Sequence, residues 1–238
     1  MHERLSDQDR GDLLLGGALL VFPRVPSLGA FRERVADLIH EQFADVDPLT
    51  AQDSMGREEL DSTIDVLRGK VGHDDMVRQH ALAALAETGV DLGDTYWDKV
   101  NLRMLPSGGG HAKRGTGWHR DTWGSNVDAQ MNWWTPIFPI TVDRTISFAP
   151  DRWNRAVADS SSRWSPAAAR QQVVPPIPEP EEAISGLAEL PVVIEPGDFL
   201  CFSAAQLHRS VPNRTGVARF RRGPDSLWGR RADGERSS

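Results

Sequence analysis

From Tyr96 onward the chain is a succession of short apolar or alternating stretches cut by Gly and Pro: DKVNLRML, GWHRD, QMNWWTPIF, RTISFA, PVVIE, DFLCFS, QLHRSV and GVARF. No other feature constrains the fold as much, because strands that follow one another without crossover helices belong to antiparallel architectures. The pattern predicts a mainly β core, a sandwich or barrel, with the helices of the chain packed against one sheet.

Those helices fall in the first hundred residues. After LLLGGALLVF, which reads as an early strand, Leu28, Phe31, Val35, Leu38, Ile39 and Phe43 recur at helical spacing behind Ser27 as a capping residue. Two more helices are predicted, from about Glu58 to Arg68 and from about Asp75 to Glu87, the second stopped by Gly89. A length of 238 residues suits a single domain. Residues 1–95 would be a helical brace, 96–222 the β core and 223–238 a polar, solvated tail. Within the core, residues 156–190 are rich in Ser, Pro, Ala and Glu, and so long a loop predicts a lid over a functional site.

Acidic residues outnumber basic ones, 34 to 27, so the chain has no general attraction for nucleic-acid phosphates or anionic membranes. No apolar run reaches the roughly 18 residues of a membrane span, and acidic residues precede the first apolar stretch, which is not the order of a secretory signal. The expected setting is the cytoplasm and the expected partner a small molecule, with neither nucleic acid nor membrane. The one cysteine, Cys201, rules out an internal disulfide and a cysteine-rich metal cluster; within FLCFS it reads as core.

In GWHRDTWG, His119 and Asp121 stand two residues apart, so on a strand both side chains leave one face and can grip one ion. The spacing alone is equally that of a hydrogen-bonded surface pair. Its weight comes from PGDFLCFSAAQLHRSVPNRTGVARF, where a turn, an apolar strand and a strand bearing His208 follow in order. Two histidines and one carboxylate leave three coordination positions open, which suits iron(II) binding a bidentate oxoacid together with dioxygen. Closed structural zinc sites leave no such room.

In this arrangement the chain resembles the phytanoyl-CoA dioxygenase-like branch of the iron(II) and 2-oxoglutarate oxygenases. The matching residues are His119, Asp121, Trp134, Gly197, Asp198, His208, Ser210 and Arg219, with Asn213 and Thr215 between the last two, and they span roughly Trp97 to Arg222. The resemblance implies a double-stranded β-helix, the jelly-roll or cupin-like fold, braced by N-terminal helices. It also implies an iron dioxygenase that hydroxylates a small polar metabolite with 2-oxoglutarate and O2 as co-substrates, releasing succinate and CO2. His119, Asp121 and His208 would hold the metal, and the presence of Asp121 favours hydroxylation, or a related desaturation, ring closure or demethylation, over halogenation. Arg219 would bind the distal carboxylate of 2-oxoglutarate through its planar fork, with Ser210 and Trp134 beside it. The segment VDRTISFAPDRWN departs from the family pattern where members border their substrate, so no substrate is carried over.

Gln130 and Asn132 share the Trp134 face of their strand, and Asn101 and Arg103 share the polar face of theirs, so all four are candidate substrate contacts. Trp133 and Met131 would point into the core, and Trp118 and Trp123 would flank the metal pair. With Lys113, Arg114 and Arg144 nearby in sequence, an anionic substrate fits, as does a set of solvated charges. His111 reads as a loop residue. Two rival functions stay open: a metal-dependent hydrolase using the same three ligands on water, and a non-catalytic cupin-like binding module. Neither needs Ser210 or Arg219 at its offset from His208.

Overall fold

The computed structural model describes residues 5–97, 100–108, 117–182 and 184–229. It opens with a helix that the sequence reading missed. Helix α1 (Asp7–Leu15) is capped by Ser6, whose Oγ accepts the Asp9 N–H at 3.1 Å, and it absorbs the first leucines of LLLGGALLVF. Only Leu19–Phe22 of that stretch form a strand, β1. Gly17 makes the turn between them at φ +88°, with its Cα side against the Trp153 indole, where a Cβ would sit 2.7 Å away.

The helical brace follows the predicted spacing. In α2 (Pro26–Phe43), Leu28, Phe31, Val35, Leu38, Ile39 and Phe43 are all buried. Ser27 is not the cap: Val25 takes that position, Pro26 fills the first turn, and Ser27 donates its N–H and Oγ to the Glu87 carboxylate at 2.9 and 2.7 Å. The start of α2 thus draws its negative partner from a neighbouring helix. Helix α3 (Arg57–His73) runs further than expected because Leu67 and Val71 continue its buried stripe. Helix α4 (Asp75–Glu87) matches the prediction, with Asp74 Oδ1 accepting the Val77 N–H at 2.8 Å and Gly89 leaving it at φ +91°.

The strands are β2 (Thr95–Trp97), β3 (Leu102–Leu105), β4 (Met131–Pro136), β5 (Ile146–Phe148), β6 (Leu190–Val192), β7 (Phe199–Ser203), β8 (His208–Ser210) and β9 (Arg219–Gly229). One sheet has the order β1-β7-β4-β9-β2, with β3 also paired to β9; the other has the order β6-β5-β8. All strand pairs are antiparallel. Along β4 the alternation separates two apolar layers. Trp133, with Phe199, Cys201, Phe220, Leu102 and Met104, meets the helices, while Trp134, Leu200 and Phe202 meet Ile146, Phe148 and Ile194 between the sheets. The result is a double-stranded β-helix core braced on one face by helices. Cys201 is buried in the helix-side layer and burial pushes its thiol pKa up, so it is a packing residue.

The end of the core differs from expectation. Residues 223–229 are not tail but the second half of β9, where Leu227 pairs with Met131 and Gly229 with Thr95. Pro224 has no N–H for the ladder and the β4 register shifts between Trp133 and Thr135, an irregularity that a Gly-Pro pair disguises as a chain end. Residues 230–238 lie outside the described residues.

The 156–190 segment closes on itself. Ser160 N–H bonds the Glu179 carbonyl at 3.0 Å, Glu181 N–H the Ala158 carbonyl at 2.9 Å and Trp164 Nε1 the Pro175 carbonyl at 2.9 Å, around the short helix Pro166–Arg170. It packs on residues just after Asp121: a Cβ at Gly124 would lie 3.5 Å from Pro178 and 3.6 Å from Trp164. Among the described residues, no helix is long and apolar enough to cross a membrane.

Candidate metal centre

His119 and His208 are opposite partners in a single antiparallel bridge, each donating its backbone N–H to the carbonyl of the other at 2.9 and 3.0 Å. That pairing brings their rings to 4.2 Å between centroids. Asp121 reaches them differently from the strand argument. It is the residue before the short helix Thr122–Ser125, with φ −66° and ψ −28°, and its N–H is bonded to the Ala204 carbonyl at 2.9 Å. The chain curls directly after His119, and the curl, rather than a period of two, turns the carboxylate back towards the imidazoles.

Asp121 Oδ1 lies 3.4 Å from His119 Nε2 and Oδ2 lies 3.5 Å from His208 Nε2. One ligand atom from each residue lies within 4.8 Å of the other two. Each Nδ1 faces a backbone carbonyl, Gly117 at 2.8 Å and Gln206 at 2.9 Å. A carbonyl only accepts, so Nδ1 carries the proton and the Nε2 lone pair points to the centre. Burial would raise the Asp121 carboxyl, but the neighbouring His208, His119 and Arg103 outweigh it and hold the group well below the ordinary carboxylate range. His208 is pushed down to about 3, by burial first and by His119 next. Burial thus favours the neutral, lone-pair-donating form of His208 beside an ionised Asp121. Atoms at neighbouring positions around one octahedral ion are about 3 Å apart for bonds near 2.1 Å, so the observed separations fit a metal ion with three positions left over.

Gln130 and Asn132, expected on the substrate wall, are instead taken up by the carboxylate. Asn132 Nδ2 donates to Asp121 Oδ2 at 2.6 Å, and Gln130 Nε2 donates to Asn132 Oδ1 at 3.0 Å. Alternation put them on the correct face, and their depth behind Asp121 gives them a supporting role. Replacing Asn132 with Leu is expected to weaken metal binding about 10–100-fold without unfolding the protein. A calorimetric metal titration within twofold of the parent would remove Asn132 from that role. Gln206, the carbonyl partner of His208, is itself tied down by Nε2 donating to the Gly17 carbonyl at 2.7 Å.

Arg219 is 2% exposed and lies deeper between the sheets. Its Nη1 donates to the Thr145 carbonyl and its Nη2 to Ser210 Oγ at 3.0 Å, which sets the guanidinium beside the strand that carries His208. Burial, with the Arg103 charge second, lowers it to about 9, so it is still a cation at neutral pH. Trp134 is fully buried in the same layer as Phe148, whose ring stands 5.8 Å from that of His208. Arg103 faces Arg221 across β3 and β9. Asn101 is exposed and precedes β3, beyond the alternation that would have turned it inward. Arg144 donates to the Pro139 carbonyl, and Trp118 is covered by the Arg209 guanidinium at 4.8 Å. Lys99, His111, Lys113 and Arg114 lie outside the described residues. The residue missed altogether is Arg221: two positions after Arg219 on a strand, it shares the Arg219 face, and the period of two would have found it.

Solved structures with this architecture include EvdO2 from Micromonospora carbonacea var. aurantiaca (13% identity, TM-score 0.57, covering 98% of this chain and 96% of that one), which has also been solved with 2-oxoglutarate. Another is the epimerase SnoN in complex with Fe3+, α-ketoglutarate and nogalamycin RO (14% identity, TM-score 0.53, covering 94% and 85%). A third is the non-haem monooxygenase ThoJ (17% identity, TM-score 0.51, covering 89% and 74%). The chain shares their fold. No protein-family model matches it, and no curated protein matches it in sequence. The phytanoyl-CoA dioxygenase-like branch therefore rests on the residue pattern alone, whereas the double-stranded β-helix rests on the architecture as well.

Proposed function

We propose that the protein is an iron(II)- and 2-oxoglutarate-dependent dioxygenase that hydroxylates a small polar metabolite, with release of succinate and CO2, and that it works in the cytoplasm, where a single reduced cysteine is at home. The observation that carries this reading is the pairing of two features: three ligand atoms within 4.8 Å of one another, and a buried guanidinium next to the His208 strand. A hydrolase or a binding module accounts for the first and has no use for the second.

Bound iron would supply dioxygen activation and C–H oxidation, coupled to loss of CO2 from the oxoacid. The residues do the rest. His119, Asp121 and His208 would hold the ion on one side, and Asn132 would keep the carboxylate oriented and ionised. Arg219 would take the distal carboxylate of 2-oxoglutarate in a charge-assisted pair, with the Ser210 hydroxyl between it and the His208 strand and Trp134 as an apolar wall. The segment 156–190, packed against the helix that follows Asp121, would act as the lid that limits water entry.

The test is anaerobic titration of the iron-loaded protein with 2-oxoglutarate, followed by its visible charge-transfer band. The parent should develop the band. In Arg219→Ala the affinity for 2-oxoglutarate should fall at least about 30-fold, since a buried charge loses its partner, while iron is still retained. A parent that binds iron but never 2-oxoglutarate, or an Arg219→Ala protein with parental affinity, would overturn the reading.

A further inference from the structure

Arg103 and Arg221 are direct cross-strand partners on β3 and β9. Their strand neighbours Leu102, Met104 and Phe220 face the helices in the large apolar layer, so the two guanidiniums leave from the opposite face, the one that carries Arg219. Like charges placed directly opposite on paired strands repel. Arg103 is half-buried, but water relieves little of the repulsion at Arg221, which is 6% exposed and whose Nη1 is buried with no hydrogen-bond partner among the described residues. Among those residues, Asp121 is the one carboxylate within electrostatic reach of the pair, and it is already engaged with His119, His208 and Asn132. A buried, unpaired cation costs several kcal/mol on the general scale of ion desolvation, so such a pair is retained where an anion arrives to satisfy it.

Charge balance says which anion is missing. A metal dication and three guanidiniums, set against the single charge of Asp121, exceed what the 2-oxoglutarate dianion offsets, leaving two positive charges over. We propose that Arg103 and Arg221 form a second anion subsite that binds a carboxylate or phosphate group of the substrate, beside the metal centre and separate from the place of 2-oxoglutarate at Arg219 and Ser210. The substrate is then an acidic metabolite, held by its oxyanion at one end while a carbon further along faces the metal. This inference rests on the dioxygenase reading above.

The experiment uses the full chain loaded with manganese(II) in place of iron and saturated with 2-oxoglutarate, titrated calorimetrically with methyl phosphate and, separately, with acetate. At least one probe should bind while 2-oxoglutarate stays in place. Acetate alone would point to a carboxylate substrate; methyl phosphate alone, or bound the more tightly, to a phosphate monoester. Arg103→Met and Arg221→Met should each weaken the probe at least about tenfold and leave 2-oxoglutarate affinity within about twofold, and Arg219→Met should do the reverse. A second readout separates a waiting ligand site from a structural role: ligand-free Arg221→Met should melt higher than the parent, because an unsatisfied buried charge has been replaced by an apolar group of similar length. The proposal is overturned if the probe binds only by displacing 2-oxoglutarate, if both arginine variants bind it like the parent, or if a protein that binds 2-oxoglutarate binds neither probe. Should the parent bind no 2-oxoglutarate at all, the dioxygenase reading falls, while probe binding lost in Arg221→Met would still establish the anion subsite.

Discussion

Asp121→Ala should yield a folded protein that retains no iron and forms no succinate from 2-oxoglutarate. The substitution removes one of three candidate ligands, and among the described residues it also removes the one carboxylate at the centre of the site. His119, His208, Arg103 and Arg221 all bear on this carboxylate. Without it a dication would have to enter a pocket lined by two imidazoles and three guanidiniums. The loss should therefore exceed that for either histidine alone, although His119→Ala and His208→Ala should also abolish turnover. Folding should survive because Asp121 is at the rim of the core: its N–H bond to the Ala204 carbonyl is backbone and is kept in the variant. Metal content after dialysis against iron(II), read together with the far-ultraviolet spectrum, checks both halves of the expectation. Stoichiometric iron in Asp121→Ala would show that the ion is held elsewhere.

The three residues that the fold gathers into one candidate metal site were legible in the sequence because two of them are close neighbours and the third is tied to a turn and a strand at a recognisable distance. The route by which they meet was not. His119 takes part in one isolated bridge and Asp121 lies in a helical turn, so the two side chains do come together, though not through the alternation of a strand. The buried stripe of helix α2, though not its cap, was legible to the residue because its six apolar positions obey one period and meet one surface. Helix α1 was not, since its buried contacts are only Arg10 and Leu14 and no apolar stripe announces it. The second half of β9 was hidden by Gly223 and Pro224, which in most contexts do end a strand. For Gln130 and Asn132 the face was predictable and the depth was not: only the fold shows that a carboxylate, rather than a substrate, occupies the space in front of Asn132. Arg221 was within reach of the same alternation that put Gln130 and Asn132 on the Trp134 face, and was passed over because RR near a chain end reads as solvated charge.

The largest stability effect should come from Trp133→Ala. Trp133 is fully buried, with its ring 4.8 Å from that of Phe199 on β7 and 5.4 Å from that of Phe22 on β1, so it ties the centre of the large sheet to its edge. The Arg10 guanidinium lies 5.7 Å from the ring centroid and is 1% exposed, with Nη1 donating to the Thr88 carbonyl at 3.3 Å. The indole is thus both packing for two strands and a lid for a buried cation. Truncation to Ala should cost about 3–5 kcal/mol from lost contacts and the cavity left behind, a large share of the 5–15 kcal/mol typical of a domain. In a chain of this length that corresponds to a fall in Tm of roughly 10 °C or more. Trp133→Phe, which keeps an aromatic ring against Phe199, should lose well under half as much. Because Asn132 is the next residue on β4 and holds Asp121, the Ala variant should also bind metal more weakly than the Phe variant, coupling the core to the site through one strand. An unfolding free energy from denaturant titration within about 1 kcal/mol of the parent for Trp133→Ala would mean that the helices and β1 hold the sheet without it, and that the site does not depend on this layer.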